Sequence, residues 1–155
     1  MPAARPEPFA NGLNPFICFA VYSANLAFSR VYKPFLDELG LTYPQYLALV
    51  SLWAEDDQTV GQLGEKLFLE SNTLTPLLKR LEALGHIERN RDPADERQVR
   101  VRLTAKGKAL REQARCVPEG ILEASGMKLD ALHELSSQIT ALRERLLAAD
   151  AKKPR

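Results

Sequence analysis

Two sets of residues in this chain of 155 have the types and spacing to do chemistry. The first begins at Cys18, one of only two cysteines. Asn14 and Pro15 are placed to start a helix: asparagine favours the cap, and proline is tolerated as the first helical residue because its missing N–H has no intrahelical acceptor there. Cys18 is then the fourth helical residue, in a turn where unpaired N–H groups and the helix dipole favour negative charge. That setting suits a thiolate, the form that attacks a peroxide oxygen. Tyr22 follows one turn later, close enough for its hydroxyl to be a donor. Tyr32 lies fourteen residues beyond Cys18, near the same face but roughly 21 Å along the axis. Within one chain it cannot touch the sulfur. The plain alternative for Cys18 is an inert buried hydrophobe. Phe16, Ile17, Phe19 and Val21 around it read either as an apolar entrance or as the core of an interface.

The second set is polar and basic. Leu74, Leu77, Leu78, Leu81 and Leu84 follow the three-four spacing of one buried helix face, leaving Ser71, Asn72, Thr75 and Lys79 outside. The 21 basic and 20 acidic residues nearly cancel, so any electrostatic footprint must be local. Between Arg97 and Arg115 seven basic residues face Glu112 alone. A polar helix face can lie in the major groove of DNA while hairpin arginines reach an adjacent minor groove. Taken singly, the same features are an ordinary surface helix and a solvated charge run.

These residues need elements to hold them. Helices are predicted over 14–39, stopped by Gly40, from Thr42 to the acidic Glu55-Asp56-Asp57, over 59–68, and over 71–85. The last two form a helix-turn-helix. Ile87–Arg91 and Gln98–Leu103, separated by the turn signal Asp92-Pro-Ala-Asp95, predict a β-hairpin. Thr104 caps a further helix to about Cys116, broken near Pro118, and a final helix runs from about Leu129 to Ala149. The fold is mainly α with a small β-hairpin wing. One domain spans 14–149, with a DNA-binding core at about 42–104 between a disordered segment 1–13 and a flexible tail 150–155. The first helix and the region 104–149 carry more apolar surface than a compact winged motif covers, which points to a homodimer through the two ends of the chain.

The N-terminal segment lacks the apolar core of a signal peptide, and no apolar run approaches the roughly 20 residues that span a bilayer. A cytoplasmic protein without membrane contact is expected. Two cysteines 98 positions apart make neither a disulfide framework nor a zinc ligand set. No metal, cofactor or catalytic site is expected.

Leu81-Glu82-x-x-Gly85-x-Ile87-x-Arg89, Asp92-x-x-Asp95-x-Arg97 and Leu103-Thr104-x-x-Gly107 together resemble the winged helix-turn-helix of the MarR family of bacterial transcription regulators. Cys18-Phe-x-x-Tyr22, Tyr32-Lys-Pro-x-Leu36-Asp and Leu41-Thr-Tyr-Pro-Gln-Tyr-Leu-Ala48 are similar to its OhrR group, repressors that sense organic hydroperoxides. The resemblance implies a homodimer on a palindromic double-stranded operator, released when Cys18 is oxidised. It implies that Tyr32 and Tyr43 reach across the interface to hydrogen-bond the thiolate. It places Ser71, Asn72, Thr73, Thr75, Pro76 and Lys79 on the DNA side of the recognition helix, and makes Arg97 the wing arginine, held by Asp95. Asn72 departs from the glycine of many relatives. Cys116 departs from the resolving position of the two-cysteine branch, which falls near Glu123, roughly 10 Å away along a helix. Either Cys116 still closes an intersubunit disulfide or a small thiol caps Cys18.

Two other functions fit parts of the same sequence. One is a MarR-type repressor released by a lipophilic or phenolic ligand, with Cys18 only packing. The other is a thiol peroxidase using Cys18 and Cys116, which needs no winged helix and lacks a threonine three residues before Cys18.

Overall fold

The computed structural model describes Phe9 and residues 11–152. The chain divides into two compact units, one ending at Arg115 and one beginning at Cys116. The first contains α1 (Ile17–Leu39), α2 (Tyr43–Ala54), β1 (Gln58–Thr59), α3 (Val60–Leu67), α4 (Ser71–Ala83), β2 (Ile87–Arg91), β3 (Val99–Leu103) and α5 (Ala105–Gln113). The second contains α6 (Cys116–Ser125) and α7 (Leu129–Ala151). Among the described residues no helix is long and apolar enough to cross a membrane. Most of the expected disordered segment 1–13, and the last three residues of the expected tail, lie outside the described residues.

Two helix starts differ from expectation. α1 begins at Ile17 with Phe16 at its N-cap and no side-chain cap, whereas Asn14 and Pro15 belong to a run of turns. Gly12 at φ 63°, the Gly12 N–H bonded to the Phe9 carbonyl and the stacking of Phe9 on Phe16 at 6.2 Å hold that run out of helical geometry. Cys18 is therefore the second helical residue, still in the first turn. After α5, Pro118 opens a helix rather than breaking one. It falls in the first turn of α6, where its missing N–H costs no bond. The helix expected to reach Cys116 ends at Gln113, and α7 runs two residues past the expected end at Ala149.

The core of the first unit follows the leucine periodicity. Leu49, Leu52, Leu63, Leu74, Leu78 and Leu81 are fully buried. Leu84 is not: α4 has ended at Ala83, and Leu84 is 40% exposed. The hairpin pairs Ile87 with Leu103 and Arg91 with Val99, so Val101 points into the core while Arg100 and Arg102 stand on the other face. The sheet has a third member that the alternating pattern did not reveal. β1 pairs antiparallel with the far edge of β3, in the order β1-β3-β2. Two residues are too short to show a period, and Gln58 carries none of the strand signals.

Candidate nucleic-acid interface and thiol site

α3 and α4 form the helix-turn-helix, each started differently. Thr59 caps α3, accepting from the Gln62 N–H, while the Gln62 side chain accepts from the Thr59 N–H; this reciprocal pair satisfies two donors that the helix leaves open. α4 starts at Ser71 without a side-chain cap. Ser71, Asn72, Thr73, Pro76 and Lys79 are exposed and Thr75 is half-buried, so the six predicted positions share the outer side of α4. Pro76 has no N–H, which leaves the Asn72 carbonyl outside the helical ladder. Ser71 and Thr75 line an open groove of about 730 Å³ with Thr59, Gln62, Arg89, Arg97 and Gln98. The groove lies between the helix-turn-helix and the wing.

The motif residues hold this arrangement together. Glu82, in the last turn of α4, accepts from the Arg89 N–H at 3.0 Å and from its guanidinium at 2.8 Å and 3.1 Å. That guanidinium keeps the Glu82 carboxyl below its usual range, and the pair joins the end of α4 to β2. Thr104 donates to the Gly85 carbonyl and accepts from the Gly107 N–H. Gly85 turns the chain at φ 81°. Trp53 on α2 donates from its indole to the Gly107 carbonyl at 2.9 Å, so α2, the wing base and α5 meet at one glycine.

Most of the basic run proves to be structural. Arg100 is bonded to Asp57 and Asp92, Arg102 to Asp57, Lys108 lies 3.7 Å from Asp56, and Arg115 pairs with Glu112. Three residues of the expected basic strip, Arg100, Arg102 and Lys108, are thus met by the acidic turn after α2, which is distant in sequence. Asp56 also accepts from the Leu103 N–H at 2.9 Å. Sequence reading took that acidic turn only as a helix stop. The one available signal was the coincidence of an acidic triplet and alternating arginines in the same small unit. Arg97 differs. Its guanidinium is held by Asp95 at 3.0 Å and its side chain is 90% exposed, so it projects from the wing.

The bonds from Arg102 and Arg100 keep Asp57 below the ordinary carboxylate range, and Asp92 is lowered by the Ala94 N–H and Arg100. A carboxylate lowered in the folded state stabilises fully above its unfolded value of about 3.9, and loses that contribution as pH falls through the folded value. In urea unfolding between about pH 6 and about pH 3, the wild-type midpoint should fall more steeply than that of Asp57→Asn.

The thiol site is divided. Cys18 is exposed, and Tyr22, 60% exposed, has its ring 6.5 Å from Phe19 and makes no hydrogen bond to the sulfur. Tyr32 and Tyr43 do come together, with ring centroids 4.8 Å apart, and Tyr46 closes on Tyr32 at 6.1 Å. Burial, then the Tyr43 and Tyr46 phenols, push the Tyr32 hydroxyl up to about 12, so it remains a proton donor at any physiological pH. Tyr32 and Tyr43 line a cleft of about 170 Å³ with Asn25, Phe28 and Ser29. α1 is continuous from Ile17 to Leu39, so Cys18 stays roughly 21 Å along the axis from Tyr32 of the same chain. Along α1 only Leu36 is buried, and along α7 no residue is. Cys116 is exposed at the start of α6, in the second unit.

The profile described as transcriptional regulator SarA/Rot matches residues 30–113, from the second half of α1 to the end of α5. The chain belongs to this family of transcriptional regulators. The chain is 48% identical over 144 residues to the HTH-type transcriptional regulator TtmR of Methylorubrum extorquens (strain PA1), covering 93% of this chain and 73% of that one. It is 45% identical over 130 residues to the organic hydroperoxide resistance transcriptional regulator of Bacillus subtilis (strain 168), covering 84% and 88%. Among solved structures it resembles AbfR of Staphylococcus epidermidis. Reduced AbfR bound to DNA matches with TM-score 0.71 and 36% identity over 86% of this chain and 93% of that one. Disulfide-formed AbfR matches with 0.61 and 39%, over 81% and 88%. Apo MarR of E. coli matches with 0.66 and 25%, over 82% and 96%. The winged helix-turn-helix and the MarR likeness expected from the motifs hold.

Proposed function

We propose that the protein is a homodimeric, cytoplasmic repressor that binds a palindromic operator when reduced and releases it when an organic hydroperoxide oxidises Cys18. The observation that carries this reading is an exposed cysteine in the first turn of a helix along which only Leu36 is buried among the described residues, in a chain 45% identical to a regulator named for organic hydroperoxide resistance. The likeness to AbfR, solved both bound to DNA and in a disulfide form, supports it further.

On this reading α4 enters the major groove, with Ser71, Asn72, Thr73, Thr75, Pro76 and Lys79 toward the DNA, and Arg97, steadied by Asp95, enters the neighbouring minor groove. Arg97→Ala lowers operator affinity by about 1–3 kcal/mol and leaves the melting temperature nearly unchanged, because the side chain is exposed. Fluorescence anisotropy and a thermal melt check both.

The sensor is shared between subunits. Cys18 of one meets the Tyr32–Tyr43 pair of the other, whose hydroxyls donate to the thiolate. The sulfur attacks the terminal peroxide oxygen, the O–O bond breaks, and the alkoxide takes a proton and leaves as the alcohol, with Cys18 oxidised to sulfenic acid. A second thiol, from Cys116 or a small molecule, then displaces water to form a disulfide. The new group no longer fits the tyrosine cleft, and the two recognition helices lose the spacing that matches successive major grooves. The reaction consumes one peroxide per thiol, so the protein acts as a regulator and not as an enzyme.

Gel-shift titrations on a palindromic operator test this reading. Cumene hydroperoxide should release the reduced protein and dithiothreitol should restore binding. Release by a phenolic ligand under anaerobic, reducing conditions, with no response to the hydroperoxide, would favour the ligand-released repressor instead.

A further inference from the structure

Cys18, Tyr22, Asn25, Ser29 and Tyr32 recur along α1 at intervals of four, three, four and three. At 100° per residue all five fall within roughly 80° of one face. Alternating fours and threes are the spacing with which two helices pack along a seam. The stripe is flanked by Phe19, Val21, Leu26 and Phe28, which are partly exposed; Tyr32 packs on Tyr43 and Tyr46, whereas Cys18, Tyr22, Asn25 and Ser29 are exposed. Its lower half, Asn25, Ser29 and Tyr32, opens into the cleft with Tyr43.

Symmetry fixes how such a stripe meets its own copy. Two helices related by a twofold axis across their faces run antiparallel, and if residue i lies opposite residue j, then j lies opposite i. Resting on the reading that Cys18 meets Tyr32 across the dimer, the residue midway between them must lie on the axis. That residue is Asn25.

We propose that Asn25 sits on the dimer twofold against its own copy and acts as the positioning residue that sets the register bringing Cys18 to the partner's Tyr32. Asparagine suits the place. Its amide has both donor and acceptor atoms, so two copies related by a twofold can each donate to the other. It is the one side-chain amide on α1, and its side chain makes no hydrogen bond within the described residues; only its backbone carbonyl accepts, from Ser29. An asparagine at one seam position lowers stability and in return favours one register, because a slip leaves both amides unpaired.

Cysteine cross-linking tests the placement on the full-length dimer. In a Cys18→Ser/Cys116→Ser background, Asn25→Cys should close an intersubunit disulfide under mild oxidation, since thiols on the axis come within the Cα separation of about 4.4–6.8 Å that a disulfide needs. Ala24→Cys, turned about 100° away, should not. In parallel, Tyr32→Cys in a Cys116→Ser background should cross-link to the partner's Cys18. In that second background, adding Asn25→Val should cut the Cys18 to Tyr32→Cys yield by about half or more, with the dimer population unchanged by sedimentation. If Cys18 bonds to Tyr32→Cys while the Asn25→Cys thiols stay free in a folded dimer, the register is wrong and the shared sensor stands. If neither pair forms in a folded dimer, both fall. If only the Asn25→Cys pair forms, the axis is right and the Cys18–Tyr32 pairing is lost.

Discussion

Cys18→Ser protein, treated with cumene hydroperoxide, keeps its operator, while the wild type loses affinity on the order of 100-fold. That factor is the upper part of the range for a coupling free energy of about 1–3 kcal/mol between two sites. The reasoning is one of location. Cys18 is not among the residues that line the groove between α4 and the wing, so replacing its sulfur by oxygen should remove no DNA contact, and reduced wild type and reduced Cys18→Ser should bind alike. Serine cannot be oxidised by a hydroperoxide, so the signal is lost at its origin. Cys116→Ser separates the later step. It should still release DNA if a small thiol caps Cys18, and non-reducing electrophoresis then shows monomers. Oxidation-driven release that persists in Cys18→Ser would remove Cys18 from the account.

Gly107→Ala is expected to lower stability by about 3 kcal/mol, at the upper end for overpacking, and the melting temperature by on the order of 10 °C. A Cβ at Gly107 would stand 2.0 Å from the His86 carbonyl oxygen and 3.2 Å from a Leu103 methyl. The carbonyl cannot give way easily, because it accepts the Thr104 N–H. Moving the helix instead would break the Trp53 bond to the Gly107 carbonyl. Gly61→Ala is the control. Its nearest neighbour would be the Thr59 hydroxyl at 3.8 Å, and alanine is the better helix former, so the melt should hold or rise. Thermal melts of the three proteins check both. DNA affinity should fall for Gly107→Ala as well, since the wing base moves with that contact.

The two cases show which features could be read from sequence. The leucine stripe of α4, the hairpin and the glycine stops were legible because each obeys a local period or a local φ demand. Residues 103–107 were recognisable as a motif, yet the reason for Gly107 was not, since it lies in the carbonyl of His86 and the indole of Trp53, neither of them neighbours in sequence. The start of α1 was misread because Asn14-Pro15 has the composition of a cap while the turn at Gly12 and the Phe9–Phe16 stack decide otherwise. The arginine run was misread because net local charge ignores partners brought in by folding, here Asp56 and Asp57. Arg97 and Asp95 survive as a pair because they are two residues apart. The tyrosines were legible as chemistry, but their joint cleft depends on α1 packing against α2, which no local period announces; on the proposed reading the sulfur that meets it comes from a second chain.

The shared sensor is tested most directly by mixing two impaired variants, Cys18→Ser and the double variant Tyr32→Phe/Tyr43→Phe. The first has no sensing thiol to oxidise, and the second lacks the two phenols of the cleft. In their heterodimer, Cys18 of the second chain faces the intact tyrosines of the first, so one complete site is rebuilt. Stopped-flow oxidation by cumene hydroperoxide should then show a fast phase at the wild-type rate, absent from either homodimer. A mixture that exchanges subunits and still reacts only at the slow rate of the tyrosine variant would contradict a sensor built from both chains.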